Sequence, residues 1–210
     1  MASGFELFMP IFQGKLPERV PVLCNLFEQG SDLLELSIPE YYSDHLNIVN
    51  GQMKMTSHFK LDTIWSSSYA AADAEALGSR KTIYSKDGQP NVGHLILNSD
   101  SDIKNFTIPE NLSSVPVIQD EVERILKIKE KTGGKYPVCS FVTASFSLPV
   151  MLMGIGRWLS LLLTGDQQIR DHLLSLCSKY VGEKIKILRE AGSDFIAYAN
   201  PIASATFLDA

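Results

Sequence analysis

Short apolar runs alternate with longer amphipathic stretches along this chain. Four runs have strand length and end in polar residues: Val20-Pro-Val-Leu-Cys-Asn-Leu26, Thr63-Ile-Trp65, Tyr136-Pro-Val-Cys-Ser140 and Phe195-Ile-Ala-Tyr-Ala199. Between them the apolar positions recur with helical spacing. This predicts helices over residues 5–12, from Pro39 through Tyr41, Leu46, Val49 and Met53, over 70–77, over 117–131 and over 149–163. In the 117–131 helix, Val122, Ile125 and Ile128 are expected on the apolar side. A long final helix is traced by Ile169, Leu173, Leu176, Tyr180 and Ile185 and ends at Ala191.

The punctuation agrees with the periodicity. Gly14, Gly78, Gly133-Gly134 and Gly192 stand where helices need a left-handed stop. Lys184, Lys186 and Arg189 suit the negative end of the last helix. Thr164 with Gln167 reads as a capping box for that helix, with Asp166 as the other candidate cap. Lys86-Asp-Gly88 is a hairpin turn between 81–84 and 91–97, and residues 100–116 read as a polar, proline-marked connection. Glu28-Gln-Gly-Ser-Asp32 and residues 141–147 read as loops.

Strands joined by helices spell an α/β fold with a parallel sheet, and the four strands fit part of a (β/α)8 TIM barrel with a β-hairpin excursion. A closed barrel takes ~250 residues. The 210 residues here are therefore expected to be one domain, the N-terminal portion of a larger barrel, with strands missing at its C-terminal side. Such a portion would associate with its missing half or with other copies through its open strand edges.

Composition narrows the partners. With 45% hydrophobic residues, 20% charged residues and a net charge of −5, the chain is an ordinary globular one without the basic stripe that phosphate backbones require, so nucleic acid is excluded as a partner. The apolar run 148–163 is too short and too interrupted to span a bilayer. Cys24, Cys139 and Cys177 fit no disulfide framework and read as buried packing residues. With no signal peptide at the start, a cytoplasmic location is expected. His172 is expected to face solvent, Asp62 to sit in a turn and Asp73 at a helix start.

In parallel α/β architectures, chemistry gathers at the C-terminal ends of the strands. The polar residues at those ends are Asn25, Glu28, Ser66, Ser67, Ser140, Ser145 and Asn200. They are the candidate substrate-facing residues, and no catalytic residue stands out among them.

Several pieces, in order, resemble the uroporphyrinogen decarboxylase family, which also holds the methylcobamide:coenzyme M methyltransferases. They are Gly14-Lys-Leu-Pro-Glu-Arg-Val-Pro-Val22, Asp73-Ala-Glu-Ala-Leu-Gly78, Tyr136-Pro-Val138, Ser145-Phe-Ser-Leu148, Glu190-Ala-Gly-Ser-Asp194 and Asn200-Pro-Ile-Ala-Ser204. The resemblance implies a TIM barrel and a tetrapyrrole ligand. Decarboxylases of the family resemble Arg-Gln-Ala-Gly-Arg-Tyr after the first strand, where this chain has Asn25-Leu-Phe-Glu-Gln-Gly-Ser31, and no arginine occurs between Arg19 and Arg80. Their aspartate after the second strand is replaced by Ser66-Ser-Ser-Tyr69. A polycarboxylate substrate needs cationic forks, so these departures turn the resemblance toward the methyltransferase branch.

That branch moves a methyl group from a methylcobamide to a zinc-activated thiol, which implies zinc, a corrinoid and a corrinoid protein as partner. No His-x-Cys pair exists in the chain, so zinc ligands would have to come from elsewhere. The alternatives are porphyrinogen decarboxylation and a non-catalytic fragment or corrinoid-protein docking module.

Overall fold

The computed structural model describes residues 2–24, 26–66 and 69–203. Helix α1 (Gly4–Phe12) opens on a reciprocal cap between Ser3 and Glu6. Residues 20–24 follow outside any helix or laddered strand. Their one backbone bond to the next strand region runs from the Asp62 N–H to the Val22 carbonyl, 3.0 Å. The predicted first strand is thus a loosely tied edge. Pro21 offers no N–H, and the Val22 N–H is taken by the Asp62 side chain at 2.7 Å.

Glu28 begins a helical turn instead of a loop, α2 (Gln29–Leu34). The helix expected from Pro39 onward is two helices, α3 (Ile38–Ser43) and α4 (His45–Phe59). Asp44 adopts extended backbone between them and caps α4 by accepting from the Leu46 N–H at 2.8 Å. Strand β1 (Ile64–Trp65) leads to α5 (Ala70–Ala76), and the hairpin pairs β2 (Thr82–Ile83) with β3 (Asn91–Val92). The proline-marked connection carries its own capped helix, α6 (Asp100–Asn105), and a 3-10 turn, Leu112–Ser114.

Helix α7 (Pro116–Thr132) ends on left-handed Gly133. Its buried face includes Ile125 and Ile128 as expected, but also Glu121 and Arg124, while Val122 lies at its margin. Strand β4 (Val138–Thr143) runs three residues past Ser140, through part of the predicted loop. The apolar helix after it is broken into α8 (Leu148–Met153) and α9 (Ile155–Thr164) by Gly154, at φ +80°. Helix α10 (Gln167–Glu190) is capped by Asp166, not Thr164, whose hydroxyl bonds the Ser160 carbonyl. Strand β5 (Phe195–Ala199) closes the described elements.

The three long-range strands lie side by side in the order β1-β4-β5, all parallel. Ile64 faces Val138, Trp65 faces Cys139, and Cys139 faces Phe195 in register. With helices around it and the hairpin outside it, this is a partial, unclosed TIM-barrel-like arrangement.

Strand alternation divides the core in two. Ile64, Val138 and Val142 pack into the large cluster under the helices, with Ile118, Ile125, Trp158, Tyr180 and Leu188 among its members. Trp65, Cys139, Phe141, Phe195 and Ala197 join Phe27 on the opposite face. Phe8 and Phe12 of α1 reach that face, with ring centroids 5.0 and 5.3 Å from Phe195. Among the described residues no helix is long and apolar enough to cross a membrane.

Candidate functional site

The strand ends meet three small constellations of side chains. At the end of β1, Ser66 is buried and its N–H donates to the Cys139 carbonyl. Its hydroxyl lies 2.9 Å from that of Ser140. Both serines share strand parity with Ile64 and Val138, so they look into the helix layer and away from the aromatic face. Arg124 reaches from α7 to the same point, where its Nε donates to the Ser66 carbonyl at 2.9 Å.

A second constellation joins β4 to β5. Ser145, half-buried, bonds the Tyr198 hydroxyl through its N–H and its own hydroxyl, each at 3.2 Å. The Ser147 hydroxyl donates to Asn200 Oδ1 at 2.7 Å and accepts from the Ile202 N–H at 3.3 Å. Together with the bond from the Ala144 N–H to the Ala199 carbonyl, these contacts hold the loop after β4 against the end of β5. Ser145 and Asn200 therefore stand in one stitched corner.

The third surrounds Glu28, half-buried, whose Oε1 accepts from the Tyr42 hydroxyl at 2.9 Å. Tyr42 stacks edge-on with Tyr41 and with Tyr69, both at 5.2 Å, and Tyr69 donates to Glu75 at 2.9 Å. Burial pushes the Tyr41 phenol up to about 12, and raises those of Tyr42 and Tyr69 further with help from Glu28 and Glu75 respectively. These phenols stay protonated and act as donors. A cavity of about 350 Å³ lies in front of Glu28, between Ser31, Asp32 and Ser37 on one side and the hairpin tip Lys86, Asp87 and Gly88 on the other.

Asn25 and Ser67 lie outside the described residues. Of the other sequence-predicted positions, Ser66 and Ser140 form one pair, Ser145 and Asn200 share one corner, and Glu28 stands with Tyr42. Their partners Tyr42, Ser147, Tyr198 and Arg124 carry no signal in the sequence beyond lying near strand ends or on a helix.

Behind the end of β4 is a network that position along the chain did not suggest. Lys184 is fully buried and donates to Asp73 Oδ1 at 2.7 Å and Glu121 Oε1 at 2.9 Å. The Tyr180 hydroxyl donates to the same Asp73 oxygen at 2.9 Å, and the Thr143 N–H donates to Asp73 Oδ2 at 3.3 Å. Three helices and the tip of β4 are thereby tied together. Asp73 is the hub of this network as well as a helix-start residue, and Lys184, expected to serve the negative end of its helix, lies in the core.

Metal chemistry finds no ligand set here. Among the described residues no three His, Cys, Asp or Glu side chains are grouped so that they could hold a metal ion. Cys139 and Cys177 are buried, which pushes each thiol up to about 12. Cys24 is half-buried. The described residues do not fit a zinc site.

A family model described as uroporphyrinogen decarboxylase (URO-D) matches residues 4–210. Among solved structures, a methyltransferase from Methanosarcina mazei superposes with a TM-score of 0.86 at 18% sequence identity, covering 100% of this chain and 62% of that one. The chain thus spans 62% of the length of that methyltransferase, and at such identity the likeness concerns the fold alone. No curated protein matches the chain.

Proposed function

This chain belongs to the uroporphyrinogen decarboxylase family, and on that premise we propose that it supplies the N-terminal, ligand-facing part of a barrel acting on a tetrapyrrole. One observation carries this reading: the sheet face turned away from α5, α7 and α10 is an aromatic wall. Phe27 stands edge-on to Trp65 at 5.2 Å and to Phe141 at 6.1 Å, and half-buried Phe141 continues the wall toward Phe195, on which Phe8 and Phe12 of α1 pack. Ring faces and edges of this kind suit a large, flat macrocycle.

Decarboxylation of a porphyrinogen is the reaction favoured by the family match, which runs over nearly the whole chain. Methyl transfer from a methylcobamide is kept as a second reading because of where the cations lie. Arg19 pairs with Asp62, Arg157 with Asp100, Arg170 with Asp171, and Arg189 holds the Ser193 and Asp194 carbonyls. None of these four stands at a strand's C-terminal end, where Arg124 alone of the arginines described above is found, and a corrinoid with its neutral amides asks for fewer of them than a polycarboxylate does. A module that docks a corrinoid protein without catalysis is the non-enzymatic form of the second.

Titrating the whole protein with uroporphyrin and with methylcobalamin, and following tryptophan emission, tests the proposal. Quenching by either at micromolar concentration is expected, and carbon dioxide release from uroporphyrinogen would then select the first reading. Binding of neither compound would overturn the tetrapyrrole assignment.

A further inference from the structure

Among the described residues two cations are buried, and they are treated very differently. Lys184 has two carboxylates on it. Arg124, only 3% exposed, has none: among the described residues it forms no ion pair, its Nε is spent on the Ser66 carbonyl, and its Nη2 has no hydrogen-bond partner. A guanidinium out of water with an orphaned N–H is costly unless an anion completes it. Its location makes that cost informative. Ser66 follows the last residue of β1, so the orphaned group sits at a strand's C-terminal end, where ligands of parallel α/β folds bind.

We propose that Arg124 is the anchor for a carboxylate of the ligand at the end of β1. The inference deepens the tetrapyrrole reading and rests on it, because it names the peripheral group that the aromatic wall cannot hold. The charge is felt at Tyr41, Tyr42 and Tyr69, where it partly offsets the rise that burial gives each phenol. A carboxylate suits the site better than a phosphate. One negative charge balances one buried cation, whereas a dianion would leave excess charge near Glu28. A cation brought in by α7 also supplies what the arginine-free stretch between Arg19 and Arg80 lacks.

The test is a thermal melt of the whole protein in sodium propionate and in sodium chloride at matched ionic strength, with tryptophan emission recorded in parallel, since Trp65 adjoins Ser66. The wild type should gain melting temperature and change emission with propionate beyond chloride. Arg124→Gln should lose this response, and Arg124→Lys should keep a weaker one, with affinity reduced about tenfold. If Arg124→Gln fails to fold, the lysine variant decides. An equal response in wild type and variant, or no propionate effect in the wild type, overturns the anchor. Uroporphyrin separates the two ideas. A propionate response without uroporphyrin binding keeps the anchor and removes the tetrapyrrole reading. Uroporphyrin bound as tightly by Arg124→Gln as by the wild type does the reverse.

Discussion

Lys184 Nζ lies 2.7 Å from Asp73 Oδ1, and both side chains are almost wholly shielded from water. The pair joins α10 to α5, and Glu121 extends it to α7 at 2.9 Å. Burial alone would lower the lysine pKa, but the two carboxylates outweigh it and hold it above the ordinary 10.5. A raised folded-state value stabilises the protein fully below the unfolded lysine value and loses that contribution as pH climbs through the raised one. Stability from this group should therefore be flat through neutral pH and fall only in strong alkali. Lys184→Met removes the buried cation that Asp73 and Glu121 share and is expected to cost about 3–5 kcal/mol. Urea melts of wild type and variant check both outcomes; a variant within experimental error of wild type would show that the network carries no net weight.

Asp62 is the tie between the segment around Val22 and the sheet. Its carboxylate takes both Arg19 Nη groups, at 2.5 and 2.8 Å, and the Val22 N–H at 2.7 Å. Hydrogen bonds from Arg19, opposed by burial and assisted by Val22, hold it below the usual carboxylate range. A depressed value means stability that is present above the ordinary 3.8 and lost as pH falls through the lowered one. Asp62→Asn should cost about 1–2 kcal/mol, the half-exposed Arg19 being screened by solvent. It should also speed amide exchange at Val22. Unchanged exchange there would mean that other contacts hold the edge.

The Ser66–Ser140 bond predicts a stability effect without a binding effect. Either alanine substitution strands the other hydroxyl in the core at about 1–2 kcal/mol, and the double variant should cost less than the two singles together. Since both hydroxyls face the helices, quenching by the tetrapyrrole should survive in all three variants. Loss of binding at full stability in Ser140→Ala would contradict their placement.

The thiols should separate cleanly on alkylation. Cys139 and Cys177, buried and pushed up to about 12, should resist iodoacetamide at pH 8 in the folded protein, while half-buried Cys24 reacts first. Peptide mass spectrometry after a short exposure reads this directly, and prompt labelling of Cys139 would refute its burial.

Much of the fold was legible in the residues because much of it is local. Phe195–Ala199 is a strand and Gly192, at φ +105°, stops the helix before it, as the run of small and apolar residues after a glycine required. Breaks were harder to read. Gly154 splits one predicted helix and Asp44 another, because apolar periodicity continues across a single residue that changes direction. The candidate site was legible only as a set of strand-end positions. Ser66 and Ser140 were found, but not the side of the sheet they face, since that parity depends on which side the helices cover.

What the sequence by itself determined was the alternation of strands and helices, the stops between them and the pieces that mark the family, all of which depend on neighbours a few residues apart. Whether a charge is solvated or buried was decided only by tertiary structure. Lys184 sits among basic residues that suit a helix end, and Glu121 and Arg124 look like the wet side of an amphipathic helix. They enter the core because their partners arrive from 111 residues away at Asp73, from 63 residues away at Glu121 and from 58 residues away at Ser66. A buried ion is tolerable only where its counter-charge or hydrogen-bond acceptor is already in place, and no local pattern records the meeting of residues so far apart.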